Sequence, residues 1–346
     1  MRILLIGGRG FIGPSLIQRL RLKGHTVVLF DRGTSNLNAD LEHIAGDRQN
    51  IAAYADEFRR ARPDVVVDLI LSSGRQAAEM MRTFHGIARR IVALSSMDVY
   101  RACGVLHGLE IGPLEPVPLT EDSPLRTRSE TYPPERVKML QKVFGWLDET
   151  YDKIPVEQAV MSRQNLPGTV LRLPFVYGPG DRLHRLFPVL KRVDDGRKTI
   201  LLSEEMAAWR GPRGYVENVA ASIAAAATDE RAAGRIYNVA EQPCYSEYEW
   251  TQLVARTAGF EGEIRVVPSA EAPAHLIPPG NWKQHWSADS SRIRRELGYQ
   301  EPVTLSDALN TTIAWQRANP PERIDSAQFD YKAEDDYLLR PTPKAV

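Results

Sequence analysis

An α/β fold with a doubly wound parallel sheet is predicted by three observations in this 346-residue sequence. An apolar run of strand length, residues 2–6, leads directly into a glycine-rich turn and then into a segment of helix length. Nearly continuous apolar runs recur further along the chain, which is typical of strands buried on both faces. Helical stretches separate those runs, and this alternation is the pattern of parallel sheets covered by helices on both sides.

The composition is that of a folded globular chain, with 43% hydrophobic and 25% charged residues. Its 44 basic and 44 acidic side chains balance, which argues against a nucleic-acid partner, since such proteins usually carry a basic excess. The two cysteines, Cys103 and Cys244, have no second cysteine or nearby histidine at metal-ligand spacing, so we expect no metal site. No apolar run approaches the roughly 20 residues of a membrane span, and the first run is too short for a signal peptide. We therefore expect a cytoplasmic protein without a membrane partner.

The beginning of the chain has the order strand, glycine turn, helix, strand and acidic residue that a dinucleotide-binding unit requires. The turn carries Gly7, Gly10 and Gly13. The helix is expected to begin at Pro14, because proline is favoured where the backbone has no N–H to pair. Gly24 is a suitable left-handed end for that helix. The second strand follows and ends at the acidic residue.

This turn is suited to a dinucleotide cofactor. Without side chains at the glycines, a pyrophosphate can approach backbone N–H groups at the helix N-terminus, where the helix dipole favours an anion. Asp31 ends the second strand, where its carboxylate can accept hydrogen bonds from the adenosine ribose and repel a 2′-phosphate. NAD is therefore preferred to NADP, which stays the second candidate because Arg9 or Arg32 could pair with such a phosphate. The expected cofactor contacts in these elements are Gly7, Gly10, Phe11, Ile12, Gly13, Asp31 and Arg32.

The same alternation of elements continues to about residue 300. Further strands are expected at residues 64–71, 90–94, 169–173 and 235–240, and further helices at residues 218–228, 247–258 and 290–297. Asp289 is the expected N-cap of the last helix, and Gly298 is its expected end. In doubly wound sheets, ligands bind at the carboxyl ends of the strands. Ser96 and Asp98 fall at such an end and are therefore candidate site residues.

Seven short motifs occur in one order along residues 1–310. They are Gly7-x-x-Gly10-x-x-Gly13, Ser95-Ser96-x-x-Val99-Tyr100, Leu119-Thr120-Glu121-Asp122-Ser123-Pro124, Leu171-Arg172 with Val176-Tyr177-Gly178-Pro179-Gly180, Arg213-Gly214-Tyr215-Val216, Ile236-Tyr237-Asn238-Val239, and Asp289 through Leu297-Gly298-Tyr299. In this set and order the chain resembles the extended and atypical short-chain dehydrogenase/reductase superfamily, of the NAD-dependent epimerase/dehydratase type. Such motifs indicate fold and cofactor far better than substrate.

The resemblance implies a Rossmann-type fold with a smaller, interleaved C-terminal α/β substrate domain. We expect the NAD-binding domain to comprise residues 1–178 plus 214–240, and the substrate domain residues 179–213 plus 241–318. Residues 319–346 would form a C-terminal tail. A homodimer through a four-helix contact is also implied.

The resemblance also assigns roles to single residues. Asp47 would contact the adenine, with Arg48 beside it as a further cofactor contact, and Ser96 would hydrogen-bond the reacting hydroxyl or carbonyl. Lys153, followed four residues later by Glu157, matches the lysine that holds the nicotinamide ribose. That ammonium also helps to lower the pKa of a catalytic tyrosine, whose phenol is otherwise a poor base at neutral pH.

The catalytic tyrosine departs from the family pattern. The family tyrosine stands four residues before the lysine, a position that Glu149 occupies here. Tyr151 stands two residues before Lys153, and on a regular helix such residues point about 200° apart. Tyr151 can therefore serve only if the helix begins at or after it. Two alternatives stay open: Tyr132, delivered by an inserted segment over residues 126–146, and the absence of any catalytic tyrosine.

The expected substrate contacts are Asp98, Arg101, Arg182 and Arg213. Arginines pair bidentately with phosphates, and Arg213 stands where the resemblance implies an arginine for a substrate diphosphate. Asp98 suits acid or base chemistry, or else it pairs with Arg101 or caps a turn. The apolar Met97 before it disfavours the dehydration route that uses two adjacent carboxylates.

These assignments predict an NAD-dependent epimerase or oxidoreductase that acts on a secondary alcohol or ketone, with a nucleotide-activated sugar as its small-molecule substrate. Ser96 would position the oxygen, Tyr151 would exchange the proton and Lys153 would fix the ribose. An epimerase would keep NAD bound, whereas a reductase would release it in each turnover. The alternative is a non-catalytic NAD(P)-sensing, RNA-binding or protein-binding member that has lost its catalytic tyrosine. The stereochemistry and the oligomeric state stay open.

Overall fold

The fold consists of strands and helices that alternate along most of the chain. The computed structural model describes residues 1–33 and 41–340. The strands in these ranges are β1 (Arg2–Ile6), β2 (Thr26–Asp31), β3 (Glu42–Ala45), β4 (Val65–Asp68), β5 (Arg90–Ser96), β6 (Gly168–Leu173), β7 (Phe175–Tyr177), β8 (Thr199–Ser203), β9 (Arg213–Tyr215), β10 (Arg235–Asn238) and β11 (Glu263–Val267). The α-helices are α1 (Gly13–Leu22), α2 (Ala55–Ala61), α3 (Gly74–Thr83), α4 (Arg101–Leu106), α5 (Pro134–Val143), α6 (Lys153–Met161), α7 (Phe187–Asp194), α8 (Glu204–Ala208), α9 (Val216–Thr228), α10 (Glu247–Thr257), α11 (Ser291–Leu297), α12 (Leu305–Ala318) and α13 (Tyr331–Leu338).

A seven-stranded sheet forms the centre of the fold, in the order β10-β6-β5-β4-β1-β2-β3. Its strand pairs are parallel, which confirms the predicted fold class. The predicted strands are present, although β4 ends at Asp68 and β10 at Asn238, so both are shorter than the expected 64–71 and 235–240. The edge strand β3 was not predicted, because its side chains are mostly exposed and form no apolar run.

The side chains of β1 alternate between two hydrophobic clusters, one on each face of the sheet. Ile3 and Leu5 pack with residues of α1 and α9, whereas Leu4 and Ile6 pack with residues of α3 and α6. All four side chains are completely buried. Burial on both faces explains why this strand is a continuous apolar run rather than an alternating one.

Both helix ends that were predicted at a glycine are confirmed. Gly24 follows α1 and Gly298 follows α11, with φ of 76° and 66°, in the left-handed region that glycine adopts without a steric penalty. The start of α11 differs from the prediction by one residue, because Ser290 rather than Asp289 occupies the N-cap. The Asp289 carboxylate still accepts a hydrogen bond from the N–H of Ser291 at 2.7 Å.

Two small parallel sheets lie outside the central one and pair β8 with β11 and β7 with β9. The first of them, with α7, α8 and α10, falls in the residue ranges expected for a substrate domain, and the division into two domains stays a prediction. Of the predicted tail, residues 341–346 lie outside the described residues. Across residues 1–33 and 41–340, no helix is long and apolar enough to cross a membrane.

Candidate active site

The glycine turn between β1 and α1 presents open backbone to a diphosphate. Gly7 has φ of 78°, which side chains rarely allow. A Cβ on Gly13 would lie 1.9 Å from the carbonyl oxygen of Gly8, so the helix can start this close to the turn only with glycine there. The first turn of α1 carries no acidic side chain that would repel an anion at the positive end of the helix. These features fit the pyrophosphate of NAD.

Asp31 lies at the tip of β2, as predicted, and a neighbouring arginine already holds it. Arg9 Nε donates to both carboxylate oxygens at 2.9 Å, and the N–H of Gly33 donates to Oδ1 at 2.7 Å. A bound ribose would therefore share this carboxylate with Arg9. Arg32, the other predicted partner of a 2′-phosphate, is exposed.

The remaining predicted cofactor residues differ in their surroundings. Phe11 and Ile12 are half-buried in the turn before α1. Asp47 caps a short 3-10 turn by accepting a hydrogen bond from the backbone N–H two residues further on, at 2.9 Å. Arg48 points into the protein, where it donates to the buried Asp68 at 2.9 Å. The Arg48 side chain thus serves an internal ion pair, whereas the prediction placed it at the cofactor; sequence spacing did not reveal this partner.

Lys153 is the first residue of α6, and its ammonium is buried near the carboxyl ends of β4 and β5. Its Nζ donates to the carbonyl oxygens of Leu71 and Leu94, the latter at 3.0 Å. Burial lowers the pKa of Lys153 to about 8, and the charges of Asp98 and Asp68 oppose that shift. A cation at this edge of the sheet fits the ribose-binding role that the sequence predicts.

Tyr151 meets the geometric condition on which its predicted role depends. Because α6 begins at Lys153 with Asp152 as its N-cap, Tyr151 lies in the loop before the helix. Its hydroxyl donates to Asp98 Oδ2 at 2.7 Å and also hydrogen-bonds with Ser96. Lys153 Nζ is 5.8 Å from the centroid of its ring. The predicted serine, tyrosine and lysine are therefore close together, and their catalytic roles stay predictions.

Tyr132, the alternative to Tyr151, reaches the same carboxylate oxygen. Its hydroxyl donates to Asp98 Oδ2 at 3.0 Å. Its ring stacks on that of Tyr151, with centroids 6.4 Å apart and an interplanar angle of 16°. The segment predicted as an insertion delivers Tyr132, and α5 follows in it with no buried residue. The two tyrosines that the sequence left as alternatives are thus joined by one buried carboxylate.

Both phenols are proton donors in these surroundings. Burial, followed by the charge of Asp98, raises the pKa of Tyr151 well above its usual value, and the hydrogen bond with Ser96 lowers it in part. The pKa of Tyr132 is raised for the same two reasons, and Arg136 opposes that shift. At neutral pH both hydroxyls therefore keep their protons.

A buried polar network holds α6 against the central sheet. Glu157, one turn after Lys153, accepts hydrogen bonds from Arg172 of β6, at 2.7 Å from Nη2 and 3.0 Å from Nε, and from Ser95 of β5 at 2.6 Å. Arg172 also donates to the hydroxyl of Tyr100 at 3.0 Å. Because these side chains are buried, the network fixes the position from which Lys153 reaches the site.

Arg101 does not pair with Asp98, although one interpretation of the sequence joined these two residues. Its guanidinium pairs with Glu115 and, at 3.4 Å, with Glu110. The Arg101–Asp98 pair, one of the alternatives that the sequence left for Asp98, is therefore wrong, because Glu110 and Glu115 lie around the arginine instead.

The other two predicted substrate arginines are also engaged by the protein. Arg182 is exposed and donates to the carbonyl oxygen of Val143, at the end of α5, at 3.3 Å. Arg213 pairs with Glu247 and lies 4.6 Å above the ring of Trp250. A substrate phosphate would have to compete with these partners, so their substrate roles stay predictions.

Trp146 is a candidate site residue that the sequence analysis missed. Its ring centroid lies 5.9 Å from Lys153 Nζ. Two residues on, Asp148 donates its N–H to the Ser72 hydroxyl at 2.9 Å and accepts from the Ser73 hydroxyl at 3.2 Å. The end of the inserted segment thus docks beside the start of α3. The only signal in the sequence was an aromatic residue shortly before Lys153, and the sequence did not show that its ring would point toward the lysine.

The sequence is similar to one protein family and to several named enzymes. The sequence model of the NAD dependent epimerase/dehydratase family matches residues 3–146 and 147–240. A 3-diazoavenalumate denitrifying reductase from a Streptomyces species is 26% identical over 332 residues, which cover 92% of this chain and 97% of the reductase. A dTDP-glucose 4,6-dehydratase from Streptomyces griseus is 27% identical over 300 residues, which cover 85% of this chain and 79% of the dehydratase.

A solved structure has the same fold. The dTDP-glucose 4,6-dehydratase of Bacillus anthracis, crystallised in complex with NAD, matches with a TM-score of 0.65 at 16% identity. The match covers 92% of this chain and 97% of that one. At this level of identity, the likeness concerns the fold.

Proposed function

Because the chain belongs to the NAD dependent epimerase/dehydratase family, we propose that it transfers a hydride between NAD and a secondary alcohol or ketone. The substrate in this proposal is a nucleotide-activated sugar, and the net reaction is an epimerisation or an oxidoreduction. The family resemblance also implies a homodimer, which sedimentation equilibrium would test.

One observation carries this proposal: the hydroxyl of Tyr151 meets Ser96 and Asp98 next to the ammonium of Lys153. The unusual two-residue spacing of Tyr151 and Lys153 would separate these side chains on a helix. The start of α6 at Lys153 removes that obstacle. This placement supports a catalytic protein over one that has lost its tyrosine.

In the proposed reaction, each residue of the site has a role that follows from its chemistry. When bound, NAD supplies the hydride acceptor or donor at its nicotinamide ring. Lys153 holds the ribose of the cofactor, Ser96 orients the substrate oxygen, and Tyr151 gives a proton to that oxygen or takes one from it. The glycine turn at Gly7 to Gly13 binds the pyrophosphate.

The proposal of a nucleotide-sugar substrate is supported by the names of the relatives and by two arginines. One relative is by name a dehydratase of dTDP-glucose, and another is by name a reductase. Dehydration through two adjacent carboxylates is disfavoured here, since Met97 precedes Asp98 and is buried in an apolar cluster. Arg213 and Arg182 are the proposed diphosphate contacts, which would exchange their present partners for phosphate oxygens.

The test combines cofactor binding with hydride transfer. The purified protein is incubated with NAD and, in turn, with UDP- and dTDP-activated hexoses, while NADH absorbance and the products are followed. We expect calorimetry to detect NAD binding and one sugar to change the absorbance. A stoichiometric change without turnover of added NAD indicates an epimerase, whereas continued consumption indicates an oxidoreductase.

Variants of the site decide whether these residues carry the reaction. Tyr151→Phe and Lys153→Met should lose most of the hydride transfer, whereas Tyr331→Phe, which removes a hydroxyl bonded to Asp195 near the tail, should keep it. No heat with NAD, in wild-type protein first freed of bound nucleotide, would overturn the proposal. If the wild type bound NAD tightly but reacted with none of the sugars, and Tyr151→Phe bound NAD with the same affinity, a non-catalytic cofactor-sensing or partner-binding role would be favoured instead.

A further inference from the structure

Two phenols donate to a single carboxylate oxygen at the end of β5. Tyr151 and Tyr132 both donate to Asp98 Oδ2, at 2.7 and 3.0 Å. Asp98 is 1% exposed, and its Oδ1 is buried without a hydrogen-bond partner in the part of the chain that the structure describes. A buried carboxylate that keeps an unused oxygen is poorly explained as a purely structural hydrogen-bond acceptor, because such groups are normally satisfied.

The surroundings of Asp98 contain both acids and cations. The titratable and charged groups that face it are Tyr132, Tyr151, Arg126, Lys153 and Cys103. Arg126 Nε also donates to the backbone carbonyl oxygen of Asp98 at 2.6 Å, which fixes the residue in its turn. The two cations offset the charge of the carboxylate in a site shielded from water.

We propose that Asp98 is the proton acceptor and donor behind Tyr151, so that protons pass between the substrate oxygen and Asp98 through the Tyr151 hydroxyl. The inference rests on the function proposed above and adds a residue to it. Tyr132 is a positioning residue in this relay, because its second hydrogen bond holds Oδ2 beside the Tyr151 hydroxyl.

The relay balances in the direction of alcohol oxidation. The substrate carbon loses its hydrogen with both bonding electrons to NAD, and the substrate O–H bond breaks. The proton of that bond passes to the Tyr151 oxygen, while the Tyr151 proton passes to Asp98 Oδ2. The products are a ketone, reduced NAD, an intact phenol and a neutral Asp98. Ketone reduction runs through the same steps in reverse and returns Asp98 to its ionised form.

The environment of Tyr151 favours such a relay over a stored phenolate. Burial and the nearby carboxylate keep the phenol protonated, so a free phenolate would be costly in this protein. A phenol that gains one proton while it gives up another avoids that charge. The 2.7 Å contact with Asp98 is short enough for direct transfer.

The first measurement needs neither cofactor nor substrate. Ultraviolet titration of tyrosine ionisation is compared in wild-type protein, Asp98→Asn and Tyr132→Phe. Removing the carboxylate charge should move the ionisation of the buried phenols to lower pH in Asp98→Asn. An unchanged titration would mean that Asp98 does not control these protons and would overturn the proposal.

The second measurement is the pH profile of hydride transfer with the active sugar of the panel. General acid–base catalysis contributes about 100- to 10,000-fold, so Asp98→Asn should lose at least ~100-fold in turnover while still binding NAD. Tyr132→Phe should lose turnover by a smaller factor than Asp98→Asn, because Oδ2 is no longer held beside the Tyr151 hydroxyl, and its acidic limb should move to higher pH because the carboxylate has lost one donor.

The outcomes separate this inference from the proposed function. Wild-type turnover and an unshifted profile in Asp98→Asn, with Tyr151→Phe inactive, would refute the relay and leave the proposed function standing. If Tyr151→Phe were as active as the wild type, the proposed function would fail as well. An unshifted acidic limb in Tyr132→Phe would refute the positioning role of Tyr132 even if Asp98→Asn failed to fold.

Discussion

Arg172→Met removes the cation from the buried network that anchors α6. Both partners of the ion pair are nearly inaccessible, with side-chain exposures of 2% for Arg172 and 5% for Glu157. The variant leaves the Glu157 carboxylate buried with Ser95 as its remaining donor in this network, and it also takes donors from Tyr100 and from the carbonyl oxygen of Glu121. Breaking a buried pair in this way costs about 3–5 kcal/mol. We expect the free energy of unfolding to fall by that amount.

A double-mutant cycle separates the pair from its surroundings. In Arg172→Met/Glu157→Leu no uncompensated charge is buried, so the loss should be smaller than the sum of the two single losses by about 1–3 kcal/mol. Arg317→Met is the control, because it removes a half-exposed pair with Asp194 and should change stability by less than about 1 kcal/mol.

The assay is urea unfolding of the cofactor-free protein, followed by circular dichroism, with the midpoint and the slope compared across the variants. Two results would refute this reasoning. One is a loss below about 1 kcal/mol in Arg172→Met, which would place the pair with ordinary surface ion pairs. The other is strict additivity in the cycle, which would mean that Arg172 and Glu157 do not stabilise one another.

Three further predictions concern the cofactor. Gly13→Ala puts a Cβ 1.9 Å from the Gly8 carbonyl oxygen, so it should cost about 1–3 kcal/mol of stability and weaken NAD binding in calorimetry; wild-type affinity would contradict the tight-turn argument. The pKa of Lys153 is lowered to about 8, so raising the pH through that value removes its positive charge; NAD affinity should fall there in the wild type and stay flat in Lys153→Met. Asp31→Asn should lower the preference for NAD over NADP, measured as the ratio of the two Kd values, because the charge that repels a 2′-phosphate is lost; an unchanged ratio would assign the preference to other residues.

Much of the cofactor half of this protein could be predicted from the sequence. The strand 2–6, the turn at Gly7 to Gly13 and the acid at Asp31 are neighbours in the chain, so their spacing alone describes a compact unit. The buried parallel strands are equally local, since burial on both faces leaves a continuous apolar run. The exposed edge strand β3 has no such run and was missed.

The contacts around Asp98 join distant segments, so the spacing of residues in the sequence does not describe them. Whether Tyr151 could reach Asp98 depended on the residue at which α6 begins, and the N-cap at Asp152 leaves Tyr151 in the loop before the helix, within hydrogen-bond distance of that carboxylate. Tyr132 and Tyr151 were competitors in the sequence, whereas folding brings them to one oxygen of Asp98, 34 and 53 residues away along the chain. Arg48 and Arg101 likewise found acidic partners that no local pattern indicated. The sequence by itself thus determined the elements whose backbone periodicity and turns are local. Only the tertiary structure decided which polar groups meet, because a buried polar group takes whichever partner the packing of distant segments presents.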